Sequence, residues 1–196
     1  MLTPAKGDYA SVPLNPAGKK FADTWDPSKA AGDGCKLYGA AAVMRDPGRL
    51  RIAWEDDSTI RIDTDAGMQT RRLHFTKASG AAAEHTWQGY SRAEWEPIPQ
   101  RGGLGVSLQT APPKVGALKV VTANLRAGYL RGNGVPYSEK TVVTEYFDRL
   151  SAAYGTDWLT VLTIVEDPTY LDQPFITSTH FKREPDGSKW MPRPCE

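Results

Sequence analysis

The sequence predicts an all-β protein: a closed, lipocalin-like antiparallel β-barrel of about eight strands, preceded by an irregular and partly helical N-terminal arm. Three observations lead to this prediction. From Arg49 onward, apolar and polar residues alternate in one short segment after another, as in half-buried strands. Tight polar turns such as Asp56-Asp57-Ser58 separate these segments. Almost no helical pattern lies between them, and closure would remove the exposed edges of so large a sheet.

The arm is predicted to comprise residues 1–48 of a single domain that spans all 196 residues. It is rich in Pro, Gly and Ala and shows no strand pattern. Asn15-Pro16 is a helix start signal, because Asn is a favoured N-cap and Pro is favoured at the first helical position. We expect a helix from residue 16 to about residue 25, with Phe21 and Trp25 packed on the barrel.

Eight segments carry the strand pattern, at residues 49–54, 59–64, 68–75, 85–96, 118–125, 140–147, 158–166 and 175–182. A Gly/Ala linker is predicted at 79–83, and a long excursion between two strands at 97–116. Several strands, notably segment 158–166, are half apolar on both faces, which suits a barrel with an apolar lumen and an arm or loops packed outside.

Composition disfavours several partners. The net charge of +1 comes from 24 basic and 23 acidic residues that are well mixed, so neither nucleic acid nor an anionic membrane surface is predicted as a partner. No apolar run approaches the ~18 residues of a membrane-spanning helix, which argues against membrane insertion. The first residues show no apolar signal-peptide core, which leaves a cytosolic protein or an exported, processed chain as alternatives. Association of two copies of the chain into a homodimer is a further possibility that the composition leaves open.

The two cysteines leave two interpretations open. A bridge between Cys35 and the penultimate residue, Cys195, would tie both ends of the domain together. Two unrelated buried thiols are the alternative, and composition alone does not choose between them.

Short motifs along nearly the whole chain point to a family. They are Gly7-Asp-Tyr9, Val12-Pro-Leu-Asn15, Asp23-Thr-Trp-Asp26, Cys35, Met44-Arg-Asp-Pro-Gly-Arg-Leu-Arg-Ile52, Thr86-Trp-Gln-Gly-Tyr-Ser91, Glu94-Trp-Glu96, Gly128-Tyr-Leu-Arg131, Asn133-Gly-Val-Pro136, Val143-Thr-Glu-Tyr-Phe147, Glu166-Asp-Pro168, Gln173-Pro-Phe175 and Pro194-Cys-Glu196. Through them the chain resembles a family of uncharacterised secreted proteins from Gram-negative bacteria. The resemblance implies export to the periplasm or beyond, and it favours a Cys35–Cys195 disulfide. It implies no activity. The chain departs from the family at 97–116, where members have a tight Gly-Asp turn, and this departure concerns one rim of the barrel.

The catalytic inventory is small. The sequence has no Gly-rich phosphate loop, no His-Glu-x-x-His, no Gly-x-Ser-x-Gly and no Cys-x-x-Cys. Its three histidines, at 74, 85 and 180, do not stand at metal-ligand spacing. We therefore predict no metal site and no cofactor.

Glu145 is the most informative acidic residue. It shares a strand face with Val143 and Phe147, so its carboxyl group is expected in an apolar environment, where it could act as a general acid or base. The alternative is an ion pair with a barrel arginine such as Arg126 or Arg131.

Two histidines lie on predicted strands. His85 stands beside Trp87 and is the better candidate for a pocket. His180 shares a face with Ile176 and Ser178, and a hydrogen-bonded barrel histidine without a chemical role is the simpler interpretation.

The segment 126–138 joins two good strands with thirteen residues where two would suffice, and long loops are often functional. It is predicted to cover the ligand site at one barrel mouth, and its recognition groups are Arg126, Tyr129, Arg131, Asn133, Tyr137 and Ser138. Arginine binds carboxylate or phosphate, and tyrosine rings cover apolar rings. A self-packed loop whose arginines neutralise nearby acids is the alternative.

Three functions follow as hypotheses. The first is a barrel that binds a small apolar or aromatic molecule, with the predicted ligand-binding residues Trp87, Trp95, Arg126, Asn133, Tyr137 and His180, and Tyr129 also lining the pocket. The second is a cofactor-free lyase, isomerase or hydratase. In it Glu145 or His85 would move a proton, while Arg131 or Tyr129 would stabilise developing negative charge. The third is a structural envelope protein.

Overall fold

The computed structural model describes six stretches of the chain. They are residues 4–29, 34–46, 48–76, 84–97, 116–151 and 156–195. The predicted linker at 79–83 lies outside the described residues, and so does the predicted excursion at 97–116, apart from its two end residues.

Strands are the main secondary structure. They are β1 (Leu50–Asp56), β2 (Thr59–Thr64), β3 (Ala66–Gly67), β4 (Thr70–His74), β5 (Tyr90–Pro97), β6 (Gly116–Ala123), β7 (Gly128–Arg131), β8 (Val135–Tyr137), β9 (Val142–Ser151), β10 (Asp157–Glu166), β11 (Phe175–Lys182) and β12 (Arg193–Pro194). The helical elements are α1 (Pro16–Thr24) and 3-10 turns at Pro27–Lys29, Gly34–Tyr38 and Val43–Arg45. None of the helices among the described residues has the length and apolar character needed to cross a membrane.

The predicted helix is confirmed, together with its start signal. The side chain of Asn15 accepts a hydrogen bond of 2.8 Å from the backbone N–H of Gly18, and Pro16 opens the helix. Phe21 contacts the ring of Tyr170, with ring centroids 5.5 Å apart.

Eight strands form one sheet in the order β1-β2-β4-β5-β6-β9-β10-β11. Neighbouring strands are antiparallel except β4 and β5, which are parallel and share two residue pairs, Leu73 with Ser91 and His74 with Arg92. The sheet curls into a half-barrel, but β1 and β11 do not pair with each other. The prediction of a closed barrel is therefore wrong.

The concave side of the half-barrel is filled by the chain itself. Val43 and Met44 are buried among inward side chains of β2, β4, β6, β9 and β10. A segment expected on the outside of a barrel thus lies inside the curl, in the space that closure of β1 on β11 would enclose. Alternation defines the two faces of a strand but not whether the first and last strands meet, so the sequence pattern could not distinguish the two architectures.

Strand β5 begins five residues later than predicted. Residues 85–89 continue the alternating pattern, but Gly89 has a φ of +59°, which ends the extended conformation. A side chain at Gly89 would also collide with the carbonyl oxygen of Ala123. The chain therefore turns at Gly89 before it enters β5.

The core consists of two clusters that follow each other along the strands. The first cluster joins the arm to one end of the sheet and contains Val12, Leu14, Ala22, Ala40, Ala41, Leu125, Leu130, Val135, Tyr137, Val143, Val165, Leu171 and Phe175. The second cluster contains Val43, Met44, Ile60, Ile62, Leu73, Ala93, Leu118, Val120, Phe147 and Val161. Strand β9 contributes Val143 to the first and Phe147 to the second, so Glu145 lies at the boundary between them.

The Cys35–Cys195 disulfide is confirmed, with the two Cα atoms 4.9 Å apart. It joins the 3-10 turn at Gly34–Tyr38 to the C-terminal segment, where β12 pairs in parallel with β3. The bridge therefore connects the arm, the C-terminus and the turn after β2.

We expect the Cys35→Ser, Cys195→Ser double variant to lose roughly 2–5 kcal/mol of unfolding free energy, because the bridge closes a chain segment of 160 residues. Denaturant unfolding measures this loss. Reductant should destabilise the wild-type protein to a similar degree and leave the double variant unchanged. Equal stability of the two proteins without reductant would contradict a structural role for the bridge.

Candidate functional site

Glu145 forms a fully buried ion pair with Arg71. Arg71 Nη2 lies 2.6 Å from Glu145 Oε2 and Nη1 lies 3.1 Å from Oε1, and both side chains are 0% exposed. The inward position of Glu145 was predicted, but its partner is neither Arg126 nor Arg131. Both carboxylate oxygens are held by one guanidinium, so the group has no surface at which a substrate can meet it.

Arg71 reaches Glu145 across two intervening strands. It starts from β4, while Glu145 lies on β9, with β5 and β6 between them. The inward residues below its path are small: Ser91 on β5 and Thr122 on β6, whose hydroxyl oxygens are 2.7 Å apart. Thr122 Oγ1 also accepts a hydrogen bond of 3.4 Å from Arg71 Nη2. The two-residue period that places Leu73 inward also places Arg71 inward, and this is the signal that identifies the partner.

The predicted ligand-facing segment 126–138 contains a small hairpin of its own, β7–β8, packed against the arm. Asn133 is buried, and its Nδ2 donates to the carbonyl oxygens of Ala5 and Asp8 at 3.1 and 2.9 Å. Ser138 Oγ donates to the carboxylate of buried Asp167 at 2.9 Å. These contacts give Asn133 and Ser138 a role in holding the arm and hairpin in place.

Tyr137 is fully buried in the first cluster. Its hydroxyl has no hydrogen-bond partner among the described residues, and burial raises its pKa. A Cβ atom at Gly39 or Gly128 would collide with this hydroxyl, so both positions need glycine for the ring to enter. The ring therefore packs as core and does not line an open cavity.

Two other residues of the hairpin face the arm. Tyr129 makes an edge-to-face contact with Trp25, with centroids 6.5 Å apart, and Lys36 Nζ lies 5.8 Å from its ring centroid. Arg131 Nη2 donates to Ser11 Oγ at 2.9 Å. Tyr129 and Arg131 thus belong to the interface with the arm, away from Glu145.

The remaining predicted residues are dispersed. His85 is exposed, and its Nδ1 lies 2.8 Å from the carbonyl oxygen of Leu125, so Nδ1 carries the proton. Arg126 lies over the ring of Trp87 at 5.2 Å. His180 is exposed on the convex face of β11. The structure does not bring these residues together with Glu145 in one cavity.

Three aromatic rings instead form a row on the concave face at the open end of the second cluster. Trp54 and Phe75 have ring centroids 5.3 Å apart, and Phe75 and Trp95 have centroids 5.8 Å apart. Trp54 pairs with Ile60, and Trp95 pairs with Leu118, both of which point into the core. We refer to Trp54, Phe75 and Trp95 as the aromatic row. Trp95 was among the predicted ligand-binding residues.

Trp54 and Phe75 were not predicted as ligand-binding residues, although each lies at an inward-facing position of its predicted strand. Trp54 and Trp95 are 55% and 59% exposed, and neighbouring rings are tilted by 32° and 29°. The rings therefore present a nearly continuous, accessible apolar surface.

Two depressions lie elsewhere. One is a groove of about 240 Å³ lined by Ser11, Val12, Pro13, Gln173, Pro174, Phe175 and Ile176. The other is a polar cleft of about 370 Å³ where β4 and β5 diverge, lined by Gln69, Thr70, Arg72, His74, Thr86, Trp87, Gln88 and Gly89. Within the six described stretches, no three His, Cys, Asp or Glu side chains converge to hold a metal ion.

No family model, no curated protein and no solved structure matches the chain. The family resemblance drawn from the sequence motifs therefore stays a prediction.

Breaking the buried pair should be costly, because one charge is then left in the core without a partner. We expect Glu145→Gln to lower the free energy of unfolding by about 3–5 kcal/mol. The adjacent arginine provides a matched control: Arg72 pairs with Glu55 at the surface, 2.7 Å apart, and Glu55→Gln should cost at most about 1 kcal/mol. Denaturant unfolding measures both. Equal losses of unfolding free energy in the two variants would show that the contribution of the Arg71–Glu145 pair to stability does not depend on its burial.

Proposed function

We propose that this protein binds a small apolar or aromatic molecule on the aromatic row. The main support is the exposure of Trp54 and Trp95, each more than half accessible, on either side of Phe75. Tryptophan surface in contact with water is unfavourable, and a continuous exposed apolar surface is typical of a binding site.

The geometry of the row suits a planar ligand. Aromatic rings attract each other in offset or tilted arrangements with centroids about 4.5–7 Å apart, and the row already has this spacing. The middle ring of the row, Phe75, packs against the second cluster. The core thus holds the middle ring in place, which reduces the conformational entropy lost on binding.

We further propose that the protein works in the periplasm or outside the cell. The support is the Cys35–Cys195 bridge, since disulfides form and persist mainly in oxidising compartments.

The lyase or isomerase alternative has less support in the geometry. It requires an acid or base that a substrate can reach, and Glu145 is sealed by Arg71 at the boundary of the two clusters. His85, the other predicted proton carrier, is exposed, but it does not share a cavity with Tyr129 or Arg131. The binding hypothesis needs only the exposed rings.

The neutral fluorescent probe N-phenyl-1-naphthylamine tests the proposal. We expect a saturable rise in its fluorescence with wild-type protein, and a roughly five- to hundredfold weaker affinity for the Trp54→Ala, Trp95→Ala double variant, since each stacked ring contributes about 0.5–1.5 kcal/mol. Thermal stability should change little, because both rings are largely exposed.

Trp158→Ala is the matched control. Trp158 is 37% exposed but lies on the convex face, next to Leu150 and Lys182. It should leave the probe affinity unchanged. If Trp158→Ala weakened binding as much as the double variant, the aromatic row would not be the site. Absence of saturable binding would favour the structural envelope protein.

A further inference from the structure

The groove beside Phe175, which we call the Phe175 groove, lies at the other end of the half-barrel from the aromatic row. Five of its lining residues are apolar: Val12, Pro13, Pro174, Phe175 and Ile176. Its polar groups come from Ser11 and Gln173. At about 240 Å³ it is smaller than a drug-sized pocket, so it has room for a ligand about as large as a single substituted ring.

Two arginines contact residues that line this groove, although neither is itself a lining residue. Arg131 Nη2 donates to Ser11 Oγ at 2.9 Å, and its guanidinium carbon lies 5.9 Å from the centroid of the Phe175 ring. The guanidinium carbon of Arg45 lies 5.1 Å from the same centroid. Phe175 therefore has two positive charges beside its ring.

Neither charge is neutralised by an ion pair in the part of the chain that the structure describes. Arg45 donates to the carbonyl oxygens of Leu130 and Ala41, and its Nε is buried without a partner. Burial, and then the charge of Arg131, lower the pKa of Arg45 to about 10. Burial also lowers the pKa of Arg131, against the opposing effect of Asp8.

An anion in the groove would compensate this charge. Buried charges in proteins are normally paired, and arginine prefers the planar oxygens of a carboxylate or phosphate. The apolar walls of the groove favour an organic carboxylate over phosphate. They can pack against the hydrocarbon part of a carboxylate, whereas inorganic phosphate has no apolar part. Ser11, whose φ of +65° is unusual for a residue with a side chain, places its hydroxyl beside Arg131 at the polar end.

We propose that the Phe175 groove binds a small organic carboxylate, with its charged end at Arg131 and its apolar body against Phe175 and Ile176. Burial of the charged end beside the guanidinium and the Ser11 hydroxyl supplies charge-assisted hydrogen bonds. This site is independent of the aromatic row and of the function proposed for that row.

Titration of the wild-type protein with sodium benzoate, at an ionic strength held constant with NaCl, tests the proposal by calorimetry. We expect saturable binding, no comparable binding of the neutral isostere benzamide, and backbone amide NMR shifts concentrated at Ser11 and Gln173. Arg131→Gln should weaken benzoate binding about ten- to hundredfold, the loss expected for hydrogen bonds to a charged group. Arg126→Gln, which removes the arginine over Trp87 in the same segment, should leave the affinity unchanged.

A second variant covers the case in which Arg131→Gln fails to fold. Ile176 is 58% exposed, so Ile176→Glu should fold, and it should repel benzoate without altering either arginine. The proposal is overturned if wild-type protein does not bind benzoate, if Ile176→Glu binds it as tightly as wild type, or if a folded Arg131→Gln does so. Loss of benzoate binding in the Trp54→Ala, Trp95→Ala double variant would place the ligand on the aromatic row and would also overturn it.

Discussion

The fold depends on one ion pair inside the curl of the sheet. Arg71 and Glu145 join β4 to β9 across the concave face, and the small residues Ser91 and Thr122 leave room for the arginine between them. A flat sheet would hold strands three positions apart at about 14 Å, so the contact requires the curvature that it then stabilises. Because both charges are fully desolvated, alternative packings that separate them are strongly unfavourable, and the pair therefore favours a single curvature of the sheet.

The same pair divides the molecule into two ends with different chemistry. On one side the arm, the hairpin β7–β8 and the C-terminal disulfide enclose the first cluster, and exposed residues of the groove there include Ser11, Gln173 and Ile176. On the other side the second cluster is followed by the aromatic row, in which Trp54 and Trp95 are more than half exposed. An open half-barrel thus provides two surfaces, whereas a closed barrel with a filled lumen would provide none.

The sequence predicted the local elements and missed the long-range ones, for physical reasons. Alternation located the strands, and the Asn15-Pro16 signal located α1, since both are set by neighbouring residues.

The inward position of Glu145 also followed from the alternating pattern of its own strand. Its partner did not, because Arg71 comes from a strand whose distance depends on the curl of the whole sheet. The aromatic row likewise combines Trp54 of β1, Phe75 directly after β4, and Trp95 of β5. The order β4-β5-β6 with one parallel pair is not encoded in any local pattern. The hairpin in 126–138 was hidden because its strands are only four and three residues long.

The arm fixes the position of the groove wall beside Arg131 and Phe175. Asn133 binds two carbonyl groups of the arm, and Asn15 binds the backbone near Tyr170, so residues 5–15 are fixed at several points along the sheet end. This anchoring holds Ser11 against Arg131 and completes one wall of the groove. A segment needed only to cover the first cluster would be served by apolar contacts such as Val12 and Leu14. Two arginines without an ion pair among the described residues make this end less stable than an apolar cover would, and binding of the proposed anion would offset that cost.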